Sequence, residues 1–276
     1  MADDSVIAVA AANFAHTFPS QVLAYISKCV KPGQNIARLQ TYGMADGNDK
    51  LLKSLDKIRP SALIGVSIDV PPSIVAEYRS KKIPVILIDA ECEGASTVTT
   101  DNLAGGYIAG SYLAKSGRKN IAIVSGRMNV EGGFNAKKRY AGFIQALKEN
   151  NLGFNQKFLA EVISYSYNEG AEAMLKFAAD GIQPDAVFCA AGDMCAMGIL
   201  KSIRELKLAV PGNIALIGYD DIDAAKTCKP ALTTIRQPIE EMAVNAYIMA
   251  SDEKESSLLN PIKKVFRPEI VIRESA

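Results

Sequence analysis

Short apolar runs rich in β-branched residues alternate along this chain with longer segments in which apolar residues recur at helical spacing. Strands that alternate with helices predict parallel sheets covered by helices on both faces. Ten such runs are too many for one small sheet, so the pattern predicts an α/β fold with more than one sheet. The predicted strands are 6–12, 35–41, 61–66, 84–88, 97–100, 120–125, 160–164, 185–190, 213–218 and 232–236, followed by a final strand at about 269–273. The predicted helices include 103–116, 136–150, 168–179, 193–207 and 238–251.

The length of the chain predicts two packed units, and its balanced charge argues against a nucleic-acid-binding surface. With 276 residues, of which 49% are hydrophobic, the chain can bury enough surface for two packed units. Its 31 basic and 30 acidic residues are interleaved, so no electrostatic footprint for nucleic acid stands out. The tightest basic cluster is Lys137, Lys138 and Arg139.

The five cysteines show no C-x-x-C spacing, which predicts free thiols in a reducing compartment. The acidic N-terminus does not resemble a secretory signal, and no apolar run approaches the roughly 20 residues that a membrane-spanning helix needs. These features predict a cytoplasmic protein that does not enter a membrane. The cysteines are Cys29, Cys92, Cys189, Cys195 and Cys228.

Polar residues directly follow several predicted strands. In open α/β sheets, ligands bind outside the carboxyl ends of the strands, so these residues predict a site for a small polar molecule. Carboxylates accept hydrogen bonds from hydroxyl groups, and aromatic rings cover apolar faces of a ligand. The polar residues are Asn13, Asp89, Asp193, Asp220 and Asp221, and the available rings are Phe14, Phe18 and Tyr165.

Arg139 falls on the apolar face of the helix predicted at 136–150, together with Ala136, Phe143 and Leu147. A buried guanidinium is costly unless it is paired or lines a polar cavity. Arg139 is therefore predicted at the edge of a cleft or in a buried ion pair.

Structural alternatives exist for most of these residues. Asp193, like Asp101 and Asn102, is well placed to cap a helix N-terminus, and Asp89 could satisfy backbone groups in a turn. Asp220 could form a structural salt bridge with Arg139, although such a pair at a cleft would still hold a ligand hydroxyl. His16, the only histidine, is a candidate for lining the pocket, but it cannot by itself supply a zinc site or a histidine-based catalytic triad.

The glycine-rich segment around Gly105, Gly106 and Gly110 matches neither the dinucleotide-binding nor the P-loop pattern. Small residues within a helix more often permit close helix packing. The sequence also contains no G-x-S-x-G or H-E-x-x-H motif. We therefore expect no cofactor, no metal and no enzymatic activity.

Four motifs, in this order and spacing, resemble the LacI/GalR family of bacterial transcription regulators. They are the segment from Thr100 to Gly110, the segment from Pro184 to Phe188, the segment from Ile217 to Asp221, and Pro230-Ala-Leu-Thr-Thr-Ile-Arg-Gln-Pro-Ile-Glu-Glu-Met242. The resemblance extends across most of the chain.

The resemblance implies a fold like the type I periplasmic binding proteins, with two Rossmann-like lobes of parallel sheets and three crossovers near 101, 236 and 264. The lobes would comprise residues 1–101 plus 237–263, and 102–236 plus 264–276. Effector contacts in the family map onto Asn13, His16, Phe18, Asp89, Asn135, Arg139, Tyr165, Asp193, Asp220 and Gln237. Gly192 stands where the family commonly has Asn, which removes one possible polar contact.

Family members begin with a helix-turn-helix unit and a hinge, and this sequence begins after both. The resemblance thus implies an effector-binding and dimerisation domain that binds a small molecule, by default a sugar, between its lobes. Its expected partners are a second copy of the chain and, only through a helix-turn-helix domain absent from this chain, operator DNA. An alternative is a solute-binding protein of a sugar ABC transporter. An enzyme is a third possibility that lacks any recognisable nucleophile and base.

Overall fold

The computed structural model describes residues 5–41, 47–129, 133–251 and 260–276. Its backbone contacts divide the chain into two units, Met1–Thr100 with Pro238–Phe266 and Asp101–Gln237 with Arg267–Ala276. The chain thus passes from one unit to the other after Thr100, Gln237 and Phe266, compared with the predicted crossovers near 101, 236 and 264.

The first unit is built on a parallel sheet of six strands in the order β11-β5-β4-β3-β1-β2. The strands are β1 (Ser5–Ala11), β2 (Gln34–Gln40), β3 (Ala62–Val66), β4 (Val85–Ile88), β5 (Ser96–Thr100) and β11 (Lys263–Phe266). The helices are α1 (Thr17–Cys29), α2 (Gly47–Ile58), α3 (Pro72–Ser80) and α9 (Ile239–Ser251). Alternate residues of β1, namely Ile7, Val9 and Ala11, pack in one core cluster with α1 and α9.

The second unit repeats this plan, with strand order β12-β10-β9-β8-β6-β7. Its strands are β6 (Ile121–Gly126), β7 (Leu159–Val162), β8 (Ala186–Cys189), β9 (Ala215–Asp220), β10 (Thr233–Arg236) and β12 (Glu269–Val271), and β12 alone runs antiparallel to its neighbour. The helices are α4 (Asn102–Lys115), α5 (Phe134–Glu149), α6 (Tyr167–Ala179), α7 (Asp193–Glu205) and α8 (Asp223–Thr227), with a 3-10 turn at Gln156–Phe158.

Helices cover both faces of the second sheet. Ile121 and Ile123 of β6 pack in a cluster with α4 and α5, whereas Ala122 and Val124 pack with α6 and α7. Strands buried on both faces need near-continuous apolar runs, as β6 and β8 have. The predicted α/β class with two Rossmann-like sheets is confirmed.

The sequence did not predict strand β11. Lys263–Phe266 pairs with Ser96–Thr100 at the edge of the first sheet, so residues 264–266 lie in the first unit. Three of its four residues are exposed. A short edge strand of this kind carries lysines in place of an apolar run, and its period-2 signal is correspondingly weak.

The glycine-rich segment predicted to permit close packing lies in α4, directly against α5. A Cβ added to Gly106 would lie 1.9 Å from the carbonyl oxygen of Arg139, and one added to Gly142 would lie 1.9 Å from that of Leu103. The two helices therefore meet backbone to backbone, which only glycine permits at these positions. This contact sets how deeply α5 sits on the sheet.

We expect Gly106→Ala to destabilise the chain by about 1–3 kcal/mol, because the new methyl group must push α4 away from α5. Urea denaturation monitored by circular dichroism measures the change. Gly153→Ala is the matched control, since a Cβ there would meet nothing within 4 Å. Equal stability of the Gly106→Ala and Gly153→Ala variants would contradict the packing argument.

Candidate functional site

The carboxyl ends of the parallel strands gather polar and conformationally unusual residues in each unit. Non-glycine residues with positive φ follow or end four strands, and such backbone costs on the order of 1–3 kcal/mol per residue. Strained residues of this kind cluster at functional sites. They are Ser67 (φ 49°) after β3, Asp89 (φ 55°) after β4, Tyr165 (φ 55°) after β7, and Asp220 (φ 104°) and Asp221 (φ 58°) at β9.

In the second unit, β6 lies between β7 and β8, so the order of strands reverses beside it. Such a switch point is where open α/β sheets bind ligands. The loops that start there are those after Gly126 and after Cys189.

Arg139 reaches this edge from the buried face of α5, in the second turn of the helix, and is 7% exposed. Its Nε donates a hydrogen bond to Asn102 Oδ1 at 2.6 Å, and its Nη1 donates to the carbonyl oxygen of Ala190 at 2.8 Å. The guanidinium carbon lies 3.7 Å from the ring centroid of Tyr219, a cation–π contact. The predicted inward position of Arg139 is confirmed, and these partners fix the plane of its guanidinium.

Asn102 is the centre of this network and not a helix cap. Its Nδ2 donates to Asn135 Oδ1 at 3.0 Å, and its Oδ1 also accepts from the Tyr219 hydroxyl at 3.2 Å. The N-terminus of α4 is capped by Asp101, whose carboxylate accepts from the Ala104 N–H at 2.9 Å. The cap prediction was therefore correct for Asp101 and wrong for Asn102, because Asn102 points into the unit and is 1% exposed.

Asn102 and Tyr219 are the residues that sequence reasoning missed as parts of the site. A signal for Tyr219 exists, since it alternates with Ile217 on the inward face of β9 and a buried tyrosine hydroxyl needs a partner. No comparable signal marks Asn102, which follows a capping residue like many helix-start asparagines.

Asp220 and Gln237 come together at the ends of β9 and β10. Gln237 Nε2 donates to Asp220 Oδ1 at 2.7 Å. Gln237 is 3% exposed, and its Oε1 is buried without a hydrogen-bond partner among the residues that the structure describes. A Cβ added to Gly192 would lie 3.0 Å from Asp220 Oδ2, so Gly192 leaves room for this carboxylate.

Asp221, the next residue in the sequence, forms salt bridges that stabilise the second unit. Its carboxylate is bound by Arg236 Nε at 2.7 Å and Arg273 Nη2 at 2.5 Å, and Arg236 also pairs with Glu269 at 2.7 Å. With its side chain 3% exposed, Asp221 ties β10 to the C-terminal segment.

Asp193 is also structural, and the prediction that it caps α7 is wrong. The cap position is Gly192, at φ 100°, where no side chain can cap the helix. Asp193 Oδ1 accepts from Thr234 Oγ1 at 2.6 Å and Oδ2 accepts from the Ile222 N–H at 3.0 Å. Both oxygens are thus engaged inside the unit and the residue is 1% exposed, which argues against the predicted ligand contact.

Tyr165 lies over the end of β6. A Cβ added to Gly126 would lie 2.0 Å from the Tyr165 hydroxyl, so the ring rests on the bare backbone of that glycine. The side chain remains 40% exposed, the largest accessible ring among the predicted site residues.

In the first unit, two predicted residues sit in loops after strands. Asn13 Oδ1 accepts from the Ala15 N–H at 2.9 Å and from Gln40 Nε2 at 3.3 Å. Asp89 Oδ2 accepts from Ser67 Oγ at 3.1 Å, across the ends of β3 and β4. This contact joins two of the strained residues at one edge of the sheet.

The remaining first-unit residues lie at the start of α1. His16 occupies the cap position without a side-chain capping bond. Phe18, in the first turn of α1, is 9% exposed and belongs to the core cluster that includes β1 and α9, so most of its ring is buried. Phe14 is similarly buried beneath the guanidinium of Arg38, 5.8 Å from the ring centroid.

The part of the chain that the structure describes contains neither a cluster of metal ligands nor a helix that could span a membrane. No group of three His, Cys, Asp or Glu residues there could hold a metal ion. Within the same residues, no helix combines the length and apolar character that crossing a bilayer requires. The five cysteines are free, as predicted, and Cys189 and Cys195 are fully buried.

The chain is similar to known proteins over most of its length. The model of the family described as "Periplasmic binding protein-like domain" matches residues 111–276. The chain belongs to this family. The HTH-type transcriptional repressor PurR of Yersinia enterocolitica is 29% identical to this chain over 98% of the chain and 79% of its own length.

Solved structures share the fold over nearly the whole chain. A LacI-family regulator from Enterococcus faecium with bound ribose has a TM-score of 0.86 at 24% identity, covering 99% of this chain and 98% of its own. A putative LacI-family regulator from Sanguibacter keddieii has a TM-score of 0.84 at 24% identity, with 98% of each chain covered. A complex of the regulator CelR with cellobiose has a TM-score of 0.83 at 21% identity, covering 99% of this chain and 84% of the other. Together with the family model, these matches identify a periplasmic-binding-protein-like fold over nearly the whole chain.

The buried carboxyl of Asp193 predicts that the stability of the folded chain depends on pH. Burial raises its pKa well above the ordinary 3.8, and the nearby charge of Asp220 raises it further. Because the folded state then binds the proton more tightly than the unfolded chain, stability is greatest below the unfolded pKa and falls as the pH rises toward the folded pKa.

We therefore expect Asp193→Asn to melt at or above the wild-type temperature at neutral pH and to lose this pH dependence. The amide can still accept from the Ile222 N–H and donate to Thr234. Thermal melts between about pH 4 and 8 measure the effect. Asp223→Asn, at an exposed residue paired with Lys226, is the control. A lower melting temperature for Asp193→Asn at every pH would contradict the argument.

Proposed function

We propose that this chain is the effector-binding and dimerisation domain of a LacI-type transcription regulator, and that its effector is a sugar or sugar derivative. The observation that carries the proposal is the group formed by Arg139, Asn102, Asp220 and Gln237 at the carboxyl ends of the second sheet. Partners for the effector from the first unit would be Asn13, His16 and Asp89, with Phe18 contributing at most a ring edge.

The chemistry of the group suits a polyol. Sugar hydroxyls both donate and accept hydrogen bonds, so a fixed guanidinium and a carboxylate can bind neighbouring hydroxyls, while an accessible ring such as Tyr165 covers an apolar face. Gln237 adds a buried amide oxygen that can accept a hydrogen bond. The ribose and cellobiose named for two structures of the same fold support this class of ligand. Purines and nucleosides are the next class to test.

The regulatory mechanism follows from differential affinity. A ligand shifts a conformational equilibrium only by binding one state more tightly than the other. Contacts that the effector makes better in one state would therefore couple its binding to an attached helix-turn-helix unit, which would bind operator DNA. This role requires a cytoplasmic protein and no catalytic chemistry.

A solute-binding protein for a sugar transporter is the second candidate, because the matched family is described as periplasmic binding protein-like and one fold can serve both roles. The gene's upstream sequence separates the two. A helix-turn-helix segment supports the regulator, and a secretory signal supports transport. The regulator names carried by the similar proteins favour the first.

We expect a panel of ribose, cellobiose, other pentoses and hexoses, and nucleosides to contain at least one compound that raises the melting temperature, by roughly 5 °C at a hundredfold excess over Kd. Asp220→Asn keeps the oxygen that accepts from Gln237 but loses the charge, and we expect it to abolish the shift without unfolding the chain. Arg139→Ala should abolish it too. Lys137→Ala, an exposed residue on the same helix, is the control.

Two outcomes would contradict the proposal. Unchanged stabilisation in both the Asp220→Asn and Arg139→Ala variants would remove these residues from the site. Turnover of any bound sugar would instead support an enzyme. Native mass spectrometry of the purified protein, run first, detects a ligand retained from the cell.

We also expect the chain to sediment as a homodimer, at twice its mass of 29.6 kDa. Sedimentation equilibrium over a range of concentrations measures the mass. A single species at the monomer mass throughout that range would exclude dimerisation by this domain alone.

A further inference from the structure

The loop that carries Tyr165 is organised by one carboxylate, that of Glu169. The carboxylate accepts hydrogen bonds from the N–H groups of Ile163 at 2.8 Å, Ser164 at 2.8 Å and Ser166 at 3.2 Å. Ser166 Oγ in turn accepts from the Glu169 N–H at 3.2 Å, which completes a capping box at the start of α6. Three of the four residues from 163 to 166 are thus tied to a single side chain.

The fourth residue of that loop is Tyr165 itself, at φ 55°. A non-glycine residue stays in this left-handed region only where its surroundings hold it there. The bond from the Ser166 N–H fixes the peptide plane that follows Tyr165, and the bond from the Ser164 N–H fixes the plane between Ile163 and Ser164. The Tyr165 hydroxyl consequently lies over Gly126, where any side chain on β6 would displace it.

The base of the loop is rigid as well. A Cβ added to Gly170 would lie 2.0 Å from the carbonyl oxygen of Cys195, and one added to Gly198 would lie 1.8 Å from that of Tyr167. Helices α6 and α7 therefore meet backbone to backbone at the start of α6. The capping box stands on a fixed support, so a change at residue 169 acts on the loop before it acts on the helix.

The charge state of Glu169 agrees with this role. Burial raises the pKa of its carboxyl, but the bonds from the three backbone N–H groups and from the Ser166 hydroxyl outweigh burial and lower the pKa below its ordinary value of 4.5. At neutral pH the side chain is ionised and accepts all of these bonds.

We propose that Glu169 is a positioning residue for the effector site, holding the ring of Tyr165 over the end of β6. Its effect on effector binding rests on the proposed function above, whereas its effect on the ring does not. Glu169 is therefore expected to determine how well the domain discriminates ligands with an apolar face, without touching the ligand.

The absence of tryptophan from the sequence allows a direct test. In a Tyr165→Trp variant, the single tryptophan reports the position of the ring through its emission maximum and its quenching by acrylamide. Adding Glu169→Ala should shift the emission to the red and raise the quenching constant by about twofold, because the freed loop exposes the ring. Glu169→Gln, which retains one acceptor oxygen, should give an intermediate value.

Glu172→Ala is the matched control, since Glu172 is an exposed carboxylate less than one turn further along α6. All variants are measured well below their melting temperatures, with the fold checked by circular dichroism. A purely structural capping role would lower the melting temperature and leave quenching unchanged. Equal quenching with and without Glu169→Ala, or an equal rise with Glu172→Ala, overturns the proposal.

If the indole disturbs folding, the native ring can be observed instead. The protein is labelled with 3-fluorotyrosine, and the resonance of Tyr165 is assigned among the ten tyrosines with Tyr165→Phe. Glu169→Ala should shift this resonance towards that of an exposed tyrosine, and an unshifted resonance overturns the proposal.

A separate arm addresses the effector. With any sugar of the panel that stabilises the wild-type chain, Glu169→Ala should lose as much of the thermal shift as Tyr165→Ala does, and Glu172→Ala should lose none. If the ring moves but no compound stabilises any variant, the positioning role stands and the proposed function fails.

Discussion

The backbone contact between α4 and α5 determines where the guanidinium of Arg139 can lie. Gly106 and Gly142 allow the two helices to approach until carbonyl oxygens occupy the space of absent Cβ atoms. At that separation Arg139 on one helix and Asn102 on the other are within hydrogen-bond distance, and Tyr219 closes the network from the sheet. A larger residue at either glycine would move the arginine as well as the helix. In this unit, the same contact between α4 and α5 therefore sets both the helix packing and the position of Arg139.

The three aspartates at the ends of the second sheet differ in the partners that their carboxylates have. The carboxylate of Asp193 accepts hydrogen bonds from Thr234 and from the Ile222 N–H. The carboxylate of Asp221 forms salt bridges with two arginines. Asp220, the last residue of β9, has one carboxylate oxygen next to Gly192, and its other oxygen accepts a hydrogen bond from Gln237. The three aspartates look alike in the sequence, and the proposed effector contact falls on Asp220 alone.

The same division applies to the aromatic residues and the loops. Phe14 and Phe18 are largely buried in the first unit, while Tyr165 is left accessible by a loop that Glu169 organises. Several residues with positive φ, among them Asp89, Tyr165 and Asp220, lie next to these same strand ends, whereas others, such as Arg59 and Lys207, follow helices. Backbone strain and polar side chains thus coincide at the edge where open α/β sheets bind ligands.

The sequence by itself determined the alternation of strands and helices, the parallel sheets, the inward position of Arg139 and the family motifs. These depend on local periodicity, which a chain displays directly, since a strand buried on both faces must be apolar and a helix must bury one stripe. The sequence did not predict strand β11, because an exposed edge strand has little alternation of apolar and polar residues. Only the tertiary structure decided that Asn102 joins a buried network, that Asp193 is structural and that the ring of Tyr165 lies over Gly126. These roles depend on partners far apart in sequence, such as Thr234 for Asp193, and no local pattern encodes which side chain a fold brings to meet another.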